Sequence, residues 1–439
     1  MRLERPVVSP VAGIERRQDL HGSEEVTPFT LRNGEWFAED VPLASIAERF
    51  GTPCYVYSRA ALTEAFLAYD RAFEGAPHLV CYAMKANSNL AVLHLFAALG
   101  GGFDIVSGGE LQRVLAAGGD PGKVVFSGVG KSCNDIRFAL KHDILCFNVE
   151  SASELRRISE EASRIGRTAR VSLRVNPDVD AKTHPYISTG LRENKFGVDF
   201  GDALPLYREA ARLPGVEVAG IDCHIGSQIT ELMPFIDAAA KVLQLVDALA
   251  ADGIPLQHID VGGGLGIRYS DEAPPHPAEY IKALREMFAG RDVKILTEPG
   301  RSLVGNAGLL LTRIEYLKPG PARNFAIVDA AMNDLMRPAL YDAYHDIIAV
   351  RPGTSREATY EVVGPVCESG DFLGRERSLA VKEGDLLAVL SAGAYGMSMA
   401  SNYNSRPRAA EVMVDGDRIH LARAREPVET LFAGESPVG

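Results

Sequence analysis

The sequence predicts an α/β protein built on a (β/α)8 TIM-like barrel, followed by a C-terminal antiparallel β domain. Three observations predict it. Between about residues 78 and 302 a short apolar, β-branched run, a Gly-rich or polar stop and an amphipathic stretch recur eight times. Eight such units in roughly 225–250 residues match the size of a closed barrel better than a doubly wound open sheet, which stays the alternative. After Asn306 the pattern changes to alternating strands and tight turns.

The eight runs are HLVCYAMKA ending near Lys85, FDIVSGG near Ser107, VVFSGVG near Gly128, ILCFNVES near Glu150, VSLRVNP near Asn176, GIDCHIGS near His224, HIDVGGG near Gly262 and KILTEPGR near Glu298. The connection from Pro177 to about Val216 is longer than its neighbours, and long loops in compact domains are usually functional or disordered, so it is expected to frame a site. In the C-terminal part AEVMVDGDRIHLA carries Asp415-Gly416 as a hairpin signal, and near the start PFTLRNGEWFAE carries Asn33-Gly34. The expected division is residues 1–42 pairing with the C-terminal β domain, 43–305 forming the barrel and 306–439 forming the β domain.

The 439 residues exceed what a single core of about 250–300 residues holds. With 46 basic against 58 acidic residues the net charge is −12, the wrong sign for nucleic acid or an anionic membrane, so the expected partner is a small molecule. Six cysteines (Cys54, Cys81, Cys133, Cys146, Cys223, Cys367) form no C-x-x-C pair, which suggests neither a metal site nor a disulfide framework. No secretory signal and no run of about 18 apolar residues is evident, and a cytoplasmic protein is expected.

Barrel enzymes build their sites at the C-terminal ends of the strands. Lys85, Asp104, His224, Ser227, Gly262, Gly263, Gly264, Glu298, Pro299, Gly300 and Arg301 all fall there. A lysine on the wall of an enclosed site can have its pKa lowered and form a Schiff base with an aldehyde, which is how pyridoxal phosphate is anchored. Three glycines after the seventh strand let backbone N–H groups approach a phosphate. They fail the dinucleotide pattern because Ile267 stands where a third glycine is needed, and GVGKS at 128–132 fails the P-loop because of Val125. A carboxylate such as Glu298 beside a pyridine nitrogen keeps it protonated, and the flat ring of His224 can stack on a flat cofactor. In the second domain CESGDFLG sets Cys367 and Glu368 among glycines, and a thiol near a cationic site can exchange a proton near neutral pH. MNDLMRPALYDAYH adds Arg337 and Tyr341, and GAYGMSMASNYNSRPR adds Tyr395.

Taken together, YAMKAN, HIGSQ, GGG, EPGR, CESGDFLG and GAYGMSMASNYNSRPRAAEV resemble the fold type III pyridoxal-phosphate decarboxylases, in order from about residue 27 to 425. The resemblance implies that Lys85 carries the cofactor and His224 stacks on its ring. Glu298 would pair with the pyridine nitrogen, and Ser227, Gly264, Gly300, Arg301 and Tyr395 would hold the phosphate. Asp104, Gly262, Gly263 and Pro299 complete the implied cofactor set. Arg301, Arg337, Tyr341, Glu368 and Tyr395 would bind substrate, and Cys367 would protonate the carbanion after CO2 leaves. It further implies a homodimer with shared active sites, the CESGD segment coming from the partner chain. Two arginines argue for a substrate with a second carboxylate, meso-2,6-diaminopimelate with L-lysine as product, over diamine-forming substrates. Carboxynorspermidine is the nearest alternative substrate. A racemase on the same barrel would favour arginine at the pyridine nitrogen, where Glu298 stands. A partner-binding homologue without activity would have lost Lys85 or Cys367.

Overall fold

The computed structural model describes residues 27–179 and 195–438. The chain opens with β1 (Phe29–Arg32), β2 (Glu35–Ala38) and β3 (Val41–Pro42), followed after a short helix by β4 (Cys54–Ser58). Asn33 and Gly34, both at positive φ, form the two-residue loop between β1 and β2. The expected pairing of residues 1–42 with the C-terminal domain takes another form among residues 27–42. They make their own three-stranded sheet and touch the larger one through Trp36 N to Val350 O, 3.0 Å, and Asp40 N to Gly416 O, 3.2 Å. Phe29, Ala38, Val41 and Leu43 share an apolar core with Leu309, Ala388 and Val412.

The barrel is closed. Its strands are β5 (His78–Ala83), β6 (Gly102–Ile105), β7 (Val124–Phe126), β8 (Cys146–Val149) and β9 (Ala169–Asn176), then, after a two-residue β10 (Val198–Asp199), β11 (Val216–Asp222), β12 (His258–Asp260) and β13 (Lys294–Thr297). Neighbours pair in parallel, β13 returns to β5, and β8 pairs with β9. β10 pairs in parallel with the last two residues of β9. Five of the helices that follow strands start from a serine or asparagine whose side chain accepts an N–H of the first turn: Ser58, Asn89, Ser107, Ser132 and Ser151.

Alternation along each strand sorts the interior into layers. Leu79, Cys81, Val125, Cys146 and Leu296 form an apolar plug inside the barrel. Two positions further along the same parity, at the C-terminal ends, stand Ser127, Asn148 and Glu298, joined by Asp104, Arg174, Asp222 and Asp260, all buried. Apolar floor and polar mouth therefore come from one period-two pattern.

The second sheet contains β14 (Gly308–Lys318), β15 (Asn324–Val328), β16 (Ile347–Ala349), β17 (Ala358–Val363), β18 (Phe372–Leu379), β19 (Leu386–Val389), β20 (Ala410–Asp415) and β21 (Arg418–Arg423). It is mixed: most pairs are antiparallel, while β15 with β17 and β20 with β4 are parallel. β4 lies within the 43–305 stretch expected to be barrel, yet it sits between β14 and β20. All five of its residues are buried, as a central strand of this sheet requires. The last hairpin turns on Gly416-Asp417, one residue beyond the expected Asp415-Gly416. Among the described residues no helix is long and apolar enough to cross a membrane.

Candidate active site

The first strand ends in a short 3-10 turn, Met84–Ala86, that aims Lys85 across the barrel mouth at β6. Lys85 Nζ donates to Asp104 Oδ2 at 2.7 Å. Burial alone would lower the lysine pKa, but the charges of Asp104 and Glu298 outweigh it and raise it. These neighbours push the lysine pKa up, where an enclosed lysine was expected to have it lowered, and so favour the ammonium form.

Glu298 follows β13 and receives Asn148 Nδ2 at 3.3 Å and Ser127 Oγ at 3.5 Å. Asp222 and Asp260 face each other in register on β11 and β12, and their carboxylates come within 4.8 Å of that of Glu298. Burial raises all three, with repulsion from neighbouring carboxylates adding to it, from Asp260 at Asp222 and from Asp104 at Glu298 and Asp260; Asp260 is pushed up to about 7 even though it accepts the Gly262 N–H at 2.9 Å. Arg174, 3.3 Å from Glu150, is the buried cation beside them.

Next to these acids the loop after β12 supplies the glycines. A Cβ on Gly263 would overlap the carbonyl oxygen of Glu298, and one on Gly264 that of Gly226, while Gly262 and Gly264 also take positive φ. Gly263 N–H donates to His224 Nδ1 at 3.2 Å, so the imidazole carries its proton on Nε2; burial, Arg174 and Lys85 keep it neutral. Pro299 and Gly300 pack against the Lys85 turn: Ala83 N donates to Pro299 O at 3.1 Å, and a Cβ on Gly300 would lie 3.1 Å from that of Ala83.

Arg301 starts the helix after β13 and connects two sides of the mouth. Its Nη2 donates to Ser227 Oγ at 3.0 Å, its Nη1 to Tyr269 Oη at 2.6 Å, and its Cζ lies 4.9 Å from the centre of the Tyr395 ring. Tyr395 sits at positive φ, fixed by its N–H to Ala86 O at 2.7 Å, and so reaches from the second domain to the lysine turn. Arg337 comes from the same domain and lies 4.7 Å over the Tyr269 ring. Tyr341 closes the short helix that Arg337 begins.

Cys367 and Glu368 are exposed on the loop before β18 and are held by the 403–405 segment, Cys367 N to Asn404 Oδ1 at 3.1 Å and Glu368 Oε1 accepting from Tyr403 Oη. Part of the long 177–216 connection expected to frame the site, residues 180–194, lies outside the described residues. Sequence reasoning missed Arg174, Asp222, Asp260, Tyr269 and His345. Its available signal was parity: Arg174, Asp222 and Asp260 stand two positions after inward-facing Ser172, Gly220 and His258.

A closed parallel barrel with a lysine, a buried acid and a glycine-lined wall at one mouth defines a cofactor enzyme of the lysine-anchored class. Residues 59–305 match the family described as pyridoxal-dependent decarboxylase, pyridoxal binding domain. The chain is 61% identical over 408 residues to the diaminopimelate decarboxylase of Pseudomonas aeruginosa, covering 93% of this chain and 98% of the relative. To that of Aquifex aeolicus it is 47% identical, covering 92% and 96%. Among solved structures it resembles diaminopimelate decarboxylase from Helicobacter pylori complexed with L-lysine, with TM-score 0.86 and 46% identity over 89% of this chain and 98% of the other. The chain belongs to the fold type III pyridoxal-phosphate-dependent decarboxylases, and within them to the diaminopimelate decarboxylase family.

Proposed function

We propose that this chain removes CO2 from meso-2,6-diaminopimelate to leave L-lysine, as a homodimer with shared active sites in the cytoplasm. The observation that carries the substrate is the pair Arg301 and Arg337. Both are buried, and neither has a carboxylate within ion-pair distance among the described residues. A buried guanidinium without a counter-charge is costly, and a substrate carboxylate would meet two forks at once. The relatives named for this substrate, and the H. pylori structure complexed with L-lysine, support the same choice.

The residues present fit pyridoxal phosphate: an amine at the mouth, a wall closed to Cβ atoms and a buried carboxyl. Bound there, the cofactor supplies a carbonyl for the substrate amine and a cationic ring that draws in the electrons of the breaking Cα–CO2 bond. Lys85 would hold it and yield to the substrate amine. Asp104 would pair with the Lys85 ammonium once the substrate amine has displaced the lysine. Gly262, Gly263, Gly264, Pro299 and Gly300 would offer backbone to the phosphate, with Ser227, Arg301 and Tyr395 at its edge. His224, neutral and flat, would stack on the ring. Glu298 would hold a proton at the ring nitrogen, its carboxyl pKa raised by burial and by the charges of Asp104, Asp260 and Asp222. Tyr341, Arg301, Arg337 and Tyr395 would orient the substrate.

Cys367 would deliver the proton to Cα, and Glu368 would pair with the distal ammonium. Their exposure suits residues that complete the site of a partner chain. All six cysteines are free thiols, which agrees with a reducing compartment. The test is CO2 release from meso-diaminopimelate, L-ornithine, L-arginine and carboxynorspermidine in parallel, with pyridoxal phosphate. Release from the first alone, with lysine formed, is the expected result; release from carboxynorspermidine alone would replace the substrate, and release from none would remove the activity.

A further inference from the structure

Arg337 Nη1 donates to His345 Nε2 at 2.9 Å, and His345 is fully buried. A guanidinium has only donors, so Nε2 must be the acceptor and the imidazole proton sits on Nδ1. That proton is donated to Leu390 O at 2.9 Å. One strand-end carbonyl thus fixes the tautomer that fixes the arginine. Tyr269 does the corresponding work for Arg301, accepting its Nη1 while its ring lies between the two cations, 4.7 Å from Arg337 Cζ and 5.8 Å from Arg301 Cζ. The His345 ring meets the same tyrosine edge-on at 5.3 Å. Both arginines keep Nε without a partner.

We infer that His345 and Tyr269 are positioning residues for substrate selectivity: they aim the two guanidinium groups, at a set separation, toward one carboxylate. His345 serves because it is a neutral acceptor. A third cation at this point would repel both arginines, and a carboxylate would neutralise Arg337 and take the substrate's place. Burial and Arg337 together press the imidazole pKa to about 3, so it stays neutral wherever the enzyme works. This rests on the reading of Arg301 and Arg337 as the seat of the distal carboxylate.

The test uses the holoenzyme in four forms, His345→Phe, His345→Gln, Tyr269→Phe and Arg337→Gln, with KM and kcat for meso-diaminopimelate and inhibition by L-lysine and by cadaverine, which has no carboxylate. His345→Phe is expected to raise KM roughly 10- to 100-fold, the worth of one hydrogen bond to a charged group, with kcat and cofactor absorbance kept. Inhibition by L-lysine should weaken similarly while that by cadaverine does not. His345→Gln restores an acceptor and should return KM to within about threefold. Equal losses in the Phe and Gln forms, or equal weakening of both inhibitors, would reduce His345 to packing and overturn the inference. Arg337→Gln separates the two levels: if it raises KM while His345→Phe does not, the inference alone fails, and if it leaves KM unchanged, the reading beneath it fails. Should His345→Phe not fold, Tyr269→Phe decides, a raised KM for the dicarboxylate supporting the inference and an unchanged one overturning it.

Discussion

Lys85 Nζ and Asp104 Oδ2 lie 2.7 Å apart across the first two barrel strands, and this ion pair stores the amine in its unreactive, protonated form. Capture of an aldehyde needs the neutral amine. Lys85→Ala should therefore abolish the visible absorbance of lysine-bound cofactor, and a variant with the full band would remove this lysine from its role. Asp104→Asn takes away the charge that raises the lysine pKa, so the pH at which the apoenzyme captures cofactor fastest should move down. An unmoved profile would contradict the electrostatic account.

Cys367→Ala should bind cofactor normally and turn over slowly, by roughly 10²- to 10⁴-fold, the usual worth of a positioned acid. Steady-state lysine formation and the cofactor spectrum, recorded on one preparation, check this. Unchanged turnover would exclude the thiol as the proton donor.

At Gly263 even one methyl group is too much, because its Cβ would meet the Glu298 carbonyl, which is backbone and fixed by its place after β13. Gly263→Ala should destabilise the protein by about 1–3 kcal/mol and loosen cofactor retention. Gly434→Ala, with open space around it, is the control. Matching midpoints and cofactor content for the two variants would count against the close approach of the loop to Glu298.

His258 is buried at the start of β12, 2.9 Å from Ser172 Oγ, and burial, with Lys294 adding to it, lowers its pKa to about 4. Below pH 6.5 the unfolded chain takes up a proton that the folded chain refuses until about pH 4, so this residue makes stability fall as pH falls through that window. At pH 7.5 its contribution is fully present. His258→Asn removes the effect, and the stability gap between wild type and variant should shrink by about 2 kcal/mol between pH 7.5 and 5. Urea midpoints at the two pH values measure it, and a constant gap would show that His258 does not resist protonation.

Much of this architecture was legible because parallel strands are buried on both faces and read as apolar runs such as LVCYAM, while the site lies where those runs stop. Lys85, His224, Glu298 and the three glycines could be found by that rule alone. β4 escaped it because CYVYS is as apolar as any barrel strand, and nothing local says which sheet it joins. Tyr269 and His345 were missed for another reason: each is an ordinary residue in its own segment and gains meaning only from the arginine it touches. Asp222 and Asp260 were within reach, since a charged residue ending an apolar strand has to face something.

β4 has a consequence for how the chain is made. Its residues pair with β14 and with β20, which begin at Gly308 and Ala410. During synthesis, residues 54–58 emerge from the ribosome long before either neighbour exists, and that apolar ribbon must wait through translation of the whole barrel. Contacts this remote in sequence slow folding. The two halves consequently cannot be separated by a single cut, and a fragment ending at residue 305 would carry an orphan strand inviting aggregation.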